Sequence, residues 1–379
     1  MDAGGGKRAS AMTRAGPALR SAADLIAAGL APDAQRALLD RISQTYAIGL
    51  TETVAGLIDR SDPSDPIARQ FIPDPAELSV RPEEMADPIG DAAFSPVEGV
   101  VHRYPDRVLL KLLHICPVYC RFCFRREIVG PGAPAFLSPQ ALDAAFAYVA
   151  AHPEIWEAIL TGGDPLMLSP RRLEEIMARL DAIDHVKIVR LHTRVPAVDP
   201  DMITDRLVES LRGTGKTVYV ALHANHPREL SARARAACAR FIDAGIPMLS
   251  QSVLLAGVND DVETLAALMR AFVEARIKPY YLHQLDLAPG TARFRVPIAK
   301  GRELMRQLRG RLSGLCQPAY MLDLPGGHGK APIGPNYLTE TIREETYRVD
   351  DYHGTPHLYP PPEPAFEPPE SLRRGRPLR

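Results

Sequence analysis

Between Arg107 and Leu324 the chain keeps one rhythm, a short β-rich run followed by a helical pattern, repeated at roughly thirty-residue spacing. The runs are RVLLKLLH (107–114), WEAILT (156–161), VKIVRLHT (186–193), TVYVALHA (217–224), PMLSQSVLL (247–255), KPYYLHQL (278–285) and PAYMLDL (318–324). A parallel neighbour is reached only through a crossover of about a dozen residues or more, so strands alternating with helices pair in parallel. The fold class is α/β, with a parallel sheet that is open or closed into a barrel. Ser138-Pro139, Ser169-Pro170 and Asp199-Pro200 each place a capping side chain before a proline at the first helical position.

Upstream, from about residue 18 to 92, the pattern is helical without strands. DAQRALLDRISQTYAIGL and TETVAGLIDR carry apolar residues at three- and four-residue spacing. The expected organisation is a flexible leader (1–17), an N-terminal helical region (18–101), the α/β body (102–340) and a proline-rich tail (341–379). Of the 36 prolines, a dense group lies in YPPPEPAFEPP (359–369), which reads as an extended, solvated arm. Lys+Arg 45 against Asp+Glu 46 leaves no basic field to attract nucleic acid or an acidic membrane. No stretch approaches the roughly 18 apolar residues of a membrane span. No apolar core follows the N-terminus as a secretory signal requires, and five cysteines make no disulfide framework, so the cytoplasm is the expected compartment.

Polar residues gather at the ends of the strands. Cys116, Gly162-Gly163-Asp164, His192-Thr193-Arg194, His223, His226, Asp286 and Asp323 all fall at or just past the C-terminal ends of successive runs. In parallel α/β folds that rim is where active sites are built. Three of the five cysteines lie within eight residues, Cys116-Pro-Val-Tyr-Cys120-Arg-Phe-Cys123. Thiolates so close in a cytosolic chain read as metal ligands. Zinc normally takes four ligands, whereas three thiolates suit a [4Fe-4S] cluster that keeps one iron free. The competing reading is a structural zinc site that borrows a histidine or one of Cys238 and Cys316, which otherwise read as buried small hydrophobes.

Two glycine-rich elements follow. Gly162-Gly163-Asp164 allows close backbone approach to a ligand and sets an acceptor beside it. Leu324-Pro325-Gly326-Gly327-His328-Gly329-Lys330 ends in a lysine just past the last strand. Its spacing, like that of Gly213-Thr-Gly-Lys-Thr217, fails the phosphate-binding loop pattern. Lys330 could form a Schiff base with a carbonyl substrate or with pyridoxal phosphate, or could be a solvated surface charge; the pattern alone leaves this open.

Taken together, HRYPDRVL (102–109), CPVYCRFCFRR (116–126), LTGGDPL (160–166), QSVLLAGVND (251–260), HQLDLAPGTARFRVPIAKG (283–301) and LDLPGGHGK (322–330) resemble the lysine 2,3-aminomutase family of radical S-adenosylmethionine (SAM) enzymes, over roughly two thirds of the chain. The resemblance implies a partial (β/α)6-type TIM barrel of the radical SAM kind with an N-terminal helical extension. It implies three cofactors: a [4Fe-4S] cluster on Cys116, Cys120 and Cys123, SAM, and pyridoxal 5'-phosphate. SAM would be contacted by Gly162, Gly163, Asp164 and Gln251. Lys330 would carry pyridoxal phosphate as a Schiff base, and Arg103 and Arg107 would hold its phosphate. Arg125 would pair with the substrate carboxylate. Asp286 and Asp323 would hold the ε-ammonium of lysine, since a desolvated ammonium needs compensating charge and acceptors.

The implied activity is that of an isomerase converting L-lysine to β-lysine by 2,3-migration of the amino group. It would draw electrons from a donor such as flavodoxin or ferredoxin. No cysteine follows Cys316, so the zinc-bearing C-terminal segment and the oligomer of anaerobe-type members are not implied here, although a homo-oligomer remains open. His328, where the family often has glycine, is a candidate extra contact to substrate or cofactor. The short build resembles the branch that supplies β-lysine for elongation factor P, with free β-lysine the competing role. The alternatives are a related aminomutase for another amino acid, a radical SAM enzyme without pyridoxal phosphate, and a non-enzymatic zinc adaptor.

Overall fold

The computed structural model describes residues 19–130, 134–343 and 346–360. Nine strands form one sheet in chain order: β1 (Val100–Tyr104), β2 (Arg107–Leu113), β3 (Glu157–Gly162), β4 (Ile188–Thr193), β5 (Thr217–His223), β6 (Met248–Val253), β7 (Ile277–His283), β8 (Ala319–Leu324) and β9 (Gly329–Pro332). Strands β2 to β8 pair in parallel. An antiparallel strand borders each edge, β1 on β2 and β9 on β8. Six helices, Pro139–Ala151, Pro170–Asp181, Asp205–Arg212, Ala232–Asp243, Val262–Glu274 and Ile298–Arg311, link the seven parallel strands one after another. The result is a partial (β/α)6 barrel.

Each crossover helix buries a single apolar stripe. In Pro170–Asp181 that stripe is Leu173, Ile176, Met177 and Leu180, at three- and four-residue spacing. Each such side chain contributes about 1.5–3 kcal/mol when fully buried. The Ser138 and Ser169 hydroxyls accept from the backbone N–H groups of Ala141 and Arg172, so these helices begin where the sequence placed them. Asp199-Pro200 behaves differently. Pro200–Met202 is a single 3-10 turn without a side-chain cap, and the next helix starts at Asp205 with Thr204 as its cap. The proline fits the turn as well as a helix, because both begin with the same φ.

Four short helices, Ala22–Ala27, Arg36–Ser43, Glu52–Leu57 and Pro66–Phe71, precede the barrel. They lie over its C-terminal rim, where Tyr119 N–H donates to Gly49 O at 2.9 Å and Arg121 N–H to Gln70 O at 2.8 Å. The first strand starts at Val100, inside the stretch expected to be helical. After the barrel, β10 (Leu338–Arg343), β11 (Thr346–Asp350) and β12 (Pro356–Tyr359) form a separate antiparallel sheet in part of the expected tail. Thr346, Tyr347 and Val349 are β-formers that the surrounding proline content masked. The leader expected at 1–17 and the proline run from 361 onward lie outside the described residues.

No ladder joins β9 to β1. Across that gap the Lys330 N–H donates to the Tyr104 hydroxyl at 2.7 Å. A Cβ on Gly90 would lie 2.5 Å from Gly327 N, so these two backbones touch there. Cys238 and Cys316 are buried in the apolar core, as expected of small hydrophobes. No helix among the described residues is long and apolar enough to cross a membrane.

Candidate active site

The loop leaving β2 carries the three cysteines, and the loop leaving β3 is laid directly against it. Gly163 N–H donates to Leu113 O at 2.5 Å and Asp164 N–H to Ile115 O at 2.9 Å. Gly162 has φ +108°, and a Cβ there would sit 2.5 Å from Leu113 O; a Cβ on Gly163 would overlap Ile115 O. The glycines are thus required by the approach of the cysteine loop, before any ligand is considered. Asp164 points inward. Its carboxylate accepts from the Thr193 hydroxyl (2.7 Å), Arg194 N–H (2.7 Å) and Leu166 N–H (3.1 Å). Burial nevertheless pushes this carboxyl up to about 6. The side chain expected to face a ligand amine thus also fastens the β3 and β4 exits.

Cys116, Cys120 and Cys123 face one recess of about 50 Å³, together with Tyr46, Arg121 and Arg126. Burial pushes all three thiols up, and for Cys116 the negative charges of Asp164, Cys123 and Cys120 add to it. Cys120 reaches about 11, although the Arg194 guanidinium lies 3.2 Å from its sulfur. Such thiols keep their protons until a cation displaces them, as metal ligands do. Among the described residues no group of three or more His, Cys, Asp or Glu is placed to hold a single ion. Three thiols around one recess remain a donor set in which each sulfur can serve a separate iron of a cluster.

The N-terminal region grips this loop from behind. Glu77 is fully buried and receives Arg121, whose Nε lies 3.0 Å from both carboxylate oxygens, and also Arg126. Arg121 donates in addition to Ala47 O at 2.7 Å, and Arg126 stacks 3.5 Å from the centre of the Tyr46 ring. Burial drives the Glu77 carboxyl up, but the two guanidiniums more than offset it and hold it below its usual range. Arg194 is anchored in the same way, on Gln70 Oε1 (2.9 Å) and on Glu229. None of Glu77, Gln70 and Glu229 was singled out from the sequence. The Asp74–Glu77 capping box is legible there, but its buried partners are not.

On the far side of the lumen Asp323 and Lys330 stand directly opposite each other on β8 and β9, and Lys330 Nζ bonds both Asp323 oxygens. His283 Nδ1 lies 3.5 Å from Asp323 Oδ2. Burial opposes the Asp323 charge, but the His283 hydrogen bond and the Lys330 ammonium hold its carboxyl down. Asp286, half-buried, has no side-chain partner among the described residues; burial, and then the Asp323 charge, push it up to about 7. Arg103 and Arg125 meet at Asp91, at 3.1 and 2.9 Å. Arg107 lies 3.9 Å over the Tyr104 ring and pairs with Asp106. His283 and Asp91 also escaped the sequence reading. His328 is exposed and folds back on Gly326, away from this cluster.

The lumen between these two halves holds Gln251, His192 and His223. Gln251 is buried on β6 in register with His223. The His192 and His223 rings are 5.6 Å apart, and burial pushes both imidazoles down, His223 to about 3. Their Nε2 atoms are buried without a hydrogen-bond partner among the described residues, an arrangement that a polar ligand would satisfy.

Comparison with known proteins agrees with this geometry. A model of the radical SAM superfamily matches residues 110–269, the span holding the cysteine loop, the Gly-Gly-Asp element and the lumen histidines. The chain is thus a radical SAM enzyme, a class that carries a [4Fe-4S] cluster and uses SAM. A second model, described as lysine-2,3-aminomutase, matches residues 305–371. An L-lysine 2,3-aminomutase from Acetoanaerobium sticklandii is 42% identical over 298 residues, 79% of this chain and 72% of that protein. One from Clostridium subterminale is 41% identical, covering 78% and 70%. A glutamate 2,3-aminomutase from Clostridioides difficile is 34% identical, covering 80% and 71%. The chain belongs to the lysine 2,3-aminomutase family, and it is an isomerase.

Proposed function

We propose that the protein converts L-lysine to β-lysine with pyridoxal 5'-phosphate bound at Lys330. The observation that carries this reading is the pair Asp286 and Asp323 beside Lys330. Two carboxylates in a desolvated pocket attract a side-chain ammonium and repel the side-chain carboxylate of glutamate. They favour lysine over the substrate named for the Clostridioides relative.

The residues fit pyridoxal phosphate. The backbone at Gly326, Gly327 and Gly329 has φ of +81°, +82° and +91°, and a Cβ on Gly329 would sit 3.0 Å from the Tyr104 hydroxyl. Only a bare backbone brings the lysine strand so close to β1. Arg103 and Arg107 would hold the phosphate, for which guanidinium charge and geometry are suited. Arg125 would pair with the α-carboxylate. When bound, the cluster with SAM supplies a carbon radical able to abstract hydrogen, and pyridoxal phosphate supplies the conjugated system that lets nitrogen migrate. Tyr104 fixes the Lys330 backbone, and Glu77 and Arg121 fix the cysteine loop. The amino-acid substrate, an electron donor of flavodoxin or ferredoxin type, and a homo-oligomeric assembly complete the proposal.

The test is anaerobic turnover of cluster-reconstituted protein with SAM, pyridoxal phosphate and a reductant, lysine and glutamate competing in one tube. β-Lysine that disappears in Lys330→Ala and in Cys120→Ala is expected. SAM cleavage without β-lysine would overturn the substrate assignment.

A further inference from the structure

Asp323 is asked to do two things. As the partner expected for a substrate ammonium it should be available, yet Lys330 already bonds both of its oxygens. The contact is built into the sheet: the two residues are cross-strand partners in the β8–β9 register, so their side chains leave the same face side by side. His283 Nδ1 occupies the remaining approach to Oδ2 at 3.5 Å. Burial pushes that imidazole down, against the hydrogen bond to Asp323.

We propose that Lys330 is the resident occupant of the pocket for the substrate's side-chain ammonium, so that the pocket opens only when Lys330 is taken up by a carbonyl group. This rests on the lysine reading above and adds an order of events to it. With Lys330 in place the pocket holds one carboxylate already matched by one ammonium, beside Asp286, whose carboxyl gives up its proton only near neutral pH. A second ammonium finds little uncompensated charge there. Lys330 then gives one proton to solvent, its nitrogen attacks the carbonyl carbon, a C=N bond forms and the carbonyl oxygen leaves as water. The Asp323 carboxylate is then left without its ammonium partner beside Asp286, which is a strong demand for another ammonium. When the substrate amine later releases Lys330 from that carbon, Asp323 is already held by the substrate, and Lys330 cannot reclaim it without expelling the side chain.

The probe is 6-aminohexanoate, which keeps the carboxylate and the terminal ammonium of lysine and lacks its α-amine. Its binding is measured calorimetrically on cluster-reconstituted protein stripped of pyridoxal phosphate, on the same protein loaded with it, and on stripped Lys330→Met and Lys330→Arg. Hexanoate, which lacks the ammonium, is the control. Stripped wild type and Lys330→Arg should bind 6-aminohexanoate about tenfold or more weaker than Lys330→Met and the loaded wild type, with hexanoate unchanged across all four. Equal affinity in stripped and loaded wild type would overturn the proposal, even if Lys330→Met fails to fold. If 6-aminohexanoate binds no better than hexanoate in loaded wild type and Lys330→Met alike, the ammonium pocket does not exist and the lysine reading fails with it.

Discussion

Replacing Glu77 by glutamine removes one charge and leaves the shape of the side chain almost intact. In the native structure the Glu77 charge, itself fully buried, faces three guanidiniums, those of Arg121 and Arg126 with side-chain exposures of 1 and 4%, and that of Arg293 at 3.6 Å. Removing one member of a buried pair strands its partners without compensation, at a cost of about 3–5 kcal/mol. With unfolding entropy of roughly 2.1 cal/mol/K per residue, a chain of 379 residues loses about 4–6 °C of Tm for that cost. The disturbance has a direction as well as a size. Arg121 lies between Cys120 and Cys123, so Glu77→Gln should loosen the cysteine loop and lower the iron retained after reconstitution. The assay is scanning calorimetry of apo and reconstituted protein with iron and sulfide counts on the same samples. An unchanged Tm together with full iron content would refute the clamp. A Tm loss with full iron content would show that the pair stabilises the fold without positioning the loop.

Further outcomes follow from the same contacts. Gly163→Ala must push the Ile115 carbonyl away, so iron incorporation should fall while far-ultraviolet dichroism stays near native; normal iron content would contradict the backbone stitch. Asp91→Asn leaves Arg103 and Arg125 without their shared carboxylate, so Tm should fall by about 2 °C or more in phosphate-free buffer and recover more than wild type when inorganic phosphate is added. Equal phosphate increments would contradict it. The Glu77 carboxyl is depressed on folding, so its contribution is complete above the unfolded value of about 4.3 and is lost as pH falls through the lower folded value. The Tm difference between wild type and Glu77→Gln should therefore shrink below pH 4.3, and a difference independent of pH from 7 to 3 would contradict the charge argument.

What the sequence reveals of this molecule is what chemistry or periodicity forces into a short window. The three cysteines lie within eight residues on one loop, and the glycines of 162–163 sit where two backbones touch, so both are visible as local patterns. Strand and helix periods are local too, and the order of the barrel follows from them. The clamps are not local: Glu77 meets Arg121 across 44 residues, and Gln70 meets Arg194 across 124. A buried glutamate in a capping box is indistinguishable, in sequence, from a surface one. Asp199-Pro200 misled because a proline announces a turn as readily as a helix. His283 was passed over because it stands in an ordinary strand run, and only the fold sets it beside Asp323.

The gap between β1 and β9 bears on how substrate gets in. A barrel sealed by a full ladder would have to break several hydrogen bonds to admit a molecule from the side. Here the slot is latched by the Tyr104 hydroxyl on the Lys330 amide, a single hydrogen bond that contributes about 1 kcal/mol, and by contacts between glycines. The strand that bears the lysine is held to the sheet along one side only. The contacts that close the barrel at this slot and those that place the lysine are therefore the same ones.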